Sequence, residues 1–188
     1  MEENKMNRTG TYVAFDGLGQ ADPTKSDFRY YATLQAWSAN KNIEFNFVNS
    51  HEKTNAVRDT SSRDTLYRTI RRRMSASKNM LVILSEDTRK VGSVLSYEIE
   101  LAVDVYKIPL IIAYPGYSAI LHVDSHAKVW PKALSDRINN GAKAIHIPFA
   151  EAPIFAAINQ FGVNAQIPTT GKSYYSREAY INWGVKFR

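Results

Sequence analysis

The stretch SEDTRKVGSVLSYEIELAVDVY, Ser85 to Tyr106, decides the fold. It is entered from one apolar run, NMLVIL (79–84), and left into another, IPLIIAY (108–114). Both runs are short and bounded by polar residues or Pro-Gly, which is how buried strands read. Between them Ser93 stands at a helix-cap position and the apolar periodicity begins at Val94. Residues three and four apart share a helix face. Leu95, Ile99, Ala102 and Tyr106 make one apolar row; Val94, Leu101 and Val105 make the next, and Glu98 sits inside it. Ser96, Glu100, Asp104 and Lys107 make a polar side expected in solvent. A carboxylate held against apolar surface costs free energy unless something pairs with it. Glu98 therefore reads either as a half-exposed glutamate at the rim of the helix or as a functional acid.

Outward from this unit, strands and helices alternate. Upstream, TYVAFDG (11–17) is a first strand ending in a glycine turn, and a loop with Gly19 and Pro23 comes after it. A helix is expected from Ser26 or Asp27 to Ala39, with Phe28, Tyr31 and Leu34 inward. IEFNFV (43–48) alternates as a second strand, residues 49–61 are a polar loop, and a helix spans 62–75. Loops of that length in compact domains tend to be functional or mobile. Downstream, 117–143 is irregular apart from a helix over 131–139. AIHIPF (144–149) is a fifth strand and APIFAAINQF (152–161) a last helix. Short apolar strands alternating with helices indicate an α/β fold: a flavodoxin-like, doubly wound, five-stranded parallel sheet of order 2-1-3-4-5. Ligands of such sheets bind at the carboxyl ends of the strands, where the order reverses. Here that point lies between the first and third strands, beside Phe15, Asp16, Leu18 and Ser85.

The chain of 188 residues suits one domain, read as 11–162, with a flexible leader over 1–10 and a C-terminal extension over 163–188 packed on the domain. Apolar residues at 44% and charged residues at 22% are ordinary for a soluble protein. Cysteine is absent, so disulfides and thiolate metal sites are excluded. The first ten residues are polar and no apolar run has membrane-span length, so a cytoplasmic protein without a membrane partner is expected. The net charge is +6 and the densest basic cluster is Arg71-Arg72-Arg73. It lies on a helix whose buried row is Leu66, Ile70 and Met74, with no aromatic interleaving, so no nucleic-acid partner is expected.

Several familiar chemistries are missing. GLGQAD (17–22) is not a dinucleotide fingerprint, and no P-loop or nucleophile elbow occurs. His122 and His126 bracket Asp124, but the stretch is not convincingly helical and lacks a third ligand, so no metal is assigned. Asp16 reads as a loop cap or a pocket acid, Ser85 as a loop cap or a ligand-binding hydroxyl, and Tyr97 as a helix-surface aromatic.

These segments together resemble bacterial TIR (Toll/interleukin-1 receptor) domains, above all the TIR-like effectors of Thoeris antiphage systems. The matching stretches are TYVAFDG, IEFNFVNS leading into the loop called BB, SASKNMLVILSEDT, and VLSYEIELAV continued by KIPLIIAY. The resemblance spans roughly residues 11–160. Catalytic members carry W-x-x-x-E on the third helix, and its last residue is the catalytic glutamate. That residue falls on Glu98, while Val94 stands where tryptophan is usual. The resemblance implies NAD+ as substrate rather than cofactor, and cleavage of its nicotinamide–ribose bond. The product would be an ADP-ribose-derived, cyclic signalling nucleotide read by a downstream effector protein. It also implies a pocket lined by Phe15, Asp16, Leu18, Ser85 and Tyr97, a gating loop over 49–61, and homo-oligomers on activation. Two alternatives stand beside it: a non-catalytic TIR adaptor, and an enzyme like the nucleoside deoxyribosyltransferases.

Overall fold

The computed structural model describes residues 8–17, 27–39, 45–47 and 60–187. Among the described residues six parallel strands form one sheet: β1 (Gly10–Phe15), β2 (Phe45–Phe47), β3 (Ser77–Ile83), β4 (Leu110–Tyr114), β5 (Ala144–Pro148) and β6 (Ser173–Tyr174). Their order is β2-β1-β3-β4-β5-β6. The first five take the expected order. The sixth comes from the C-terminal extension, where Ser173 and Tyr174 pair with Ile145 and His146. Two residues of strand carry too little periodicity to be read from sequence.

The α-helices among these residues are α1 (Phe28–Ser38), α2 (Thr60–Ser75), α3 (Val94–Glu100), α4 (Lys132–Asn139), α5 (Glu151–Gln160) and α6 (Arg177–Asn182). Alternation along each strand divides the core in two. Tyr12, Ala14, Met80, Val82, Leu84, Ile112 and Tyr114 face α2, α3 and α4. Val13, Phe15, Leu81, Ile83, Ile111, Ile145 and Ile147 face α1 and α5. Both faces are covered, which is why β3 and β4 read as unbroken apolar runs.

The structure corrects three details around α3. Ser93 occupies the cap position with extended backbone, but its hydroxyl makes no cap bond and is buried without a hydrogen-bond partner among the described residues. After Glu100 the helix changes to a π-turn, Leu101–Val105, in which the Tyr106 N–H reaches the Leu101 carbonyl. Each π-turn inserts a residue and rotates the helix beyond it. Val105 is consequently 62% exposed instead of joining Val94 and Leu101 in a buried row. Glu100 and Asp104 are not simply solvated: both face Arg137 of α4, which donates hydrogen bonds to Asp104. The irregular stretch before α4 contains a 3-10 helix, Val123–Val129. Arg71, in the basic cluster, is tied to Tyr97 through its Nε, 2.8 Å from the phenol oxygen. Leu18 and most of the loop 49–61 lie outside the described residues.

Candidate active site

Glu98 is 3% exposed. Its position on α3 turns it toward the sheet, on the buried side of the helix with Leu95 and Ile99. One described group meets it: the Tyr12 hydroxyl donates to Oε1 at 2.6 Å. Tyr12 lies on β1, hydrogen-bonded between β2 and β3, and is fully buried. Burial pushes the Glu98 carboxyl up to about 8; the Tyr12 hydrogen bond pulls it down and the negative charge of Asp16 pushes it further up. Burial also raises the Tyr12 phenol well above its ordinary value, with Glu98 adding to the shift. Tyr12 is thus a neutral donor at any working pH.

Asp16 shares the Tyr12 face of β1 two alternations further on. It is 1% exposed and held by Arg89. The Arg89 N–H donates to Oδ2 at 2.8 Å, and its guanidinium reaches Oδ1 at 2.7 Å through Nη2. This fork fastens the β3–α3 loop over the end of β1. Asp16 thus organises the loop, as the loop-cap reading expects, and its charge acts on Glu98.

Ser85 and Phe15 point into the other layer. Phe15 stacks on Tyr31 of α1, with ring centroids 6.2 Å apart. The Ser85 hydroxyl donates to Asp27 Oδ2 at 3.0 Å, and its N–H donates to the Thr88 hydroxyl. Asp27 is itself buried; desolvation pushes its carboxyl up to about 6, opposed by the Ser85 hydrogen bond and reinforced by Asp16. Ser85, with Arg29, Tyr30, Asp87, Gly116 and Tyr117, borders an open cleft of about 510 Å³ at the carboxyl ends of β3 and β4. Glu98 is not part of its lining. Tyr97 lies on the Glu98 side, its ring against Tyr67 at 4.4 Å. The expected pocket residues therefore divide: Asp16 and Tyr97 stand on the Glu98 side of the sheet, Phe15 and Ser85 on the opposite side.

Three residues of this region escape a reading by motif. Tyr12 carried a signal, because a tyrosine inside an apolar strand must find a partner for its hydroxyl. Its i, i+2, i+4 partners on one face are Ala14 and Asp16. Asp27 and Arg89 carried none, since both lie in loops and their pairing spans 58 and 73 residues. Among the described residues no group of three or more His, Asp or Glu side chains is placed to hold a metal ion. His126, one of the bracketing histidines, stacks on Tyr114 at 4.6 Å.

The doubly wound parallel sheet is the architecture of flavodoxin-like and TIR-like domains alike, and the family match decides between them. The chain belongs to the family described as Thoeris protein ThsB, TIR-like domain, whose family model matches residues 12–120. The match runs from Tyr12 through Glu98 to the end of the β4 loop, so it contains the whole of this acid's setting. The protein is a TIR-like module of antiphage defence. Among the described residues no helix is long and apolar enough to cross a membrane.

Proposed function

We propose that this TIR-like domain cleaves the bond between nicotinamide and ribose in NAD+, with Glu98 as the catalytic residue. The observation that carries the reading is the state of that carboxyl: 3% exposed, held at one oxygen by Tyr12, and raised to about 8. Acids so perturbed, with a specific partner, cluster at functional sites. The leaving nicotinamide is cationic in NAD+ and departs neutral, taking the electron pair of the C1′–N bond. It needs no general acid. Positive charge then develops at the ribose, as in glycoside cleavage. An ionised Glu98 stabilises that charge in a site of low dielectric. The cationic pyridinium favours the ionised form on binding, so substrate and carboxylate charge arrive together.

The acceptor completes the balance. Water gives ADP-ribose; a hydroxyl of the adenosine ribose forms a C1′–O bond, loses its proton and gives a cyclic product. Defence signalling to a second protein favours the cyclic product, with self-assembly of the domain on activation. Incubation of the pure chain with NAD+, with and without activating phage-infected extract, tests it by chromatography and mass spectrometry. A species one water lighter than ADP-ribose is expected. Linear ADP-ribose alone would sink cyclisation, and intact NAD+ in every arm would sink catalysis. A non-catalytic adaptor is the second reading, favoured by the 3% exposure of Glu98 and by Val94 in place of tryptophan.

A further inference from the structure

We infer that Tyr12 is the positioning residue of the site: it holds one carboxylate oxygen of Glu98 so that the other is presented to substrate. The inference rests on the reading of Glu98 as the catalytic acid and adds the residue that aims it. Oε1 receives the Tyr12 hydroxyl at 2.6 Å. Oε2 has no hydrogen-bond partner among the described residues, although Glu98 is 3% exposed. A carboxylate with four acceptor sites, buried and met by one donor, is only partly satisfied. The second oxygen is the one left to bond a ribose hydroxyl.

The choice of strand gives the anchor its stiffness. β1 is paired on both sides, and the Tyr12 ring is packed among Ala14, Met80 and Val82 at 0–2% exposure. Glu98, by contrast, sits on seven residues of α-helix that end in a π-turn. The hydrogen bond therefore ties a carboxylate on a short helix to an internal strand of the sheet. It is short and becomes charge-assisted when Glu98 ionises, which makes it stronger than a neutral bond. Donation to the charged form favours ionisation.

Among the described residues, the other charged and titratable groups near the pair are few. From β1 there is Asp16, whose charge opposes ionisation of Glu98 and is engaged by Arg89 of the β3–α3 loop. From α2 there is Arg73, which favours the charged form of Tyr12. From α3 itself there is Tyr97, tied to Arg71. None of these donates to Glu98, so Tyr12 is the described group able to orient it.

Tyr12→Phe in the full chain removes one oxygen and keeps the ring, so the core stays filled. Glu98 is tracked by carboxyl carbon NMR in chain labelled at glutamate, its signal assigned by loss in Glu98→Gln. This readout needs no NAD+ and stands whether or not the chain turns it over. The Glu98 midpoint is expected to rise by about one pH unit in Tyr12→Phe. Where NAD+ is cleaved, kcat at pH 7 should fall roughly tenfold or more with KM little changed, and part of the loss should return at higher pH. An unmoved Glu98 midpoint, or a loss of kcat equal at every pH, would make Tyr12 a packing residue and overturn the inference. A chain that shifts its Glu98 titration but leaves NAD+ intact would keep the Tyr12 coupling and reject the NAD+ reading.

Discussion

Glu98 and Glu100 stand two residues apart and differ in burial and in the partner each meets. Glu98 is 3% exposed and faces a phenol; Glu100 is 49% exposed and lies 3.6 Å from Arg137. Glu98→Gln keeps the size and removes the charge, so NAD+ cleavage should drop roughly a hundredfold or more, while Glu100→Gln should be nearly silent. Equal losses from both would reject the assignment. The same burial has a consequence for stability. Glu98 has a folded pKa of about 8 against an ordinary 4.5, so between those values the folded state binds more protons than the unfolded one. Stability from this group is present below about 4.5 and lost as pH rises toward 8, with a slope of at most about 1.4 kcal/mol per pH unit. Asp27 acts in the same sense over its lower window, 3.8 to about 6. From about one pH unit above the Asp27 midpoint of about 6, and so also above the ordinary histidine value of 6.5, thermal stability of the wild type should weaken as pH rises toward 8, and Glu98→Gln should flatten that slope. Parallel slopes in the two proteins would show that Glu98 is not the titrating group. The acid was legible in sequence because helical periodicity places each side chain on a face. Its donor was half legible, because periodicity says that Tyr12 is buried but not which carboxyl it meets.

At the scale of elements, apolar patterning marked every long strand and helix, and it failed where hydrogen-bond geometry changes without a change of composition. LAVDV reads as α-helix and forms a π-turn; VDSHAKV reads as irregular and forms a 3-10 helix. Polar residues inside apolar runs were the other blind spot. Asn79, near the start of β3, is fully buried. Its Nδ2 donates to the carbonyls of Ile158 and Phe161 at the end of α5, and its Oδ1 accepts from the Thr11 hydroxyl at 2.7 Å. One amide thus joins β1, β3 and a helix terminus whose carbonyls lack partners within the helix. Asn79→Ala strands all three groups in the core and should cost about 2 kcal/mol, a fall in Tm of roughly 4–8 °C for a chain of this size. It lies toward the amino end of the sheet, so activity per folded molecule should be unchanged. A Tm within a degree of wild type would mean that water or a rearranged side chain replaces the amide.

For the whole molecule, sequential βα units set the order of the first five strands, because parallel crossovers leave few alternatives. The C-terminal segment, legible only as an aromatic extension, has a more specific attachment, made through one histidine. His146 on β5 is 0% exposed, with Nε2 2.9 Å from the Gly171 carbonyl and Nδ1 2.7 Å from the Tyr114 hydroxyl. The carbonyl can only accept, so Nε2 carries the proton and Nδ1 accepts from Tyr114. The Tyr114 oxygen in turn accepts from Trp130 Nε1 at 2.7 Å. Every ring atom able to bond is used by the neutral imidazole. Burial accordingly lowers His146 to about 4, although the Gly171 bond pulls upward. Gly171 has to be glycine for this contact: an added Cβ would stand 2.6 Å from the Ala142 carbonyl and 3.1 Å from Ile138 Cγ2. Gly162 is a milder control, since the nearest atoms its Cβ would meet are the Cβ, Cγ and Cδ of Lys78, each at 3.3 Å. Gly171→Ala should therefore push the 169–172 segment off the sheet, weaken the His146 bond and lower Tm by several degrees, while Gly162→Ala should lower it by less. Imidazole NMR gives the specific readout. As the segment lifts and water enters, the His146 midpoint should climb from about 4 toward its ordinary 6.5. A depressed histidine costs stability as pH falls from 6.5 toward 4, and that window narrows when the depression is relieved. A Gly171→Ala protein that melts like wild type, with His146 still titrating near 4, would mean that the extension is not held to the sheet by this bond.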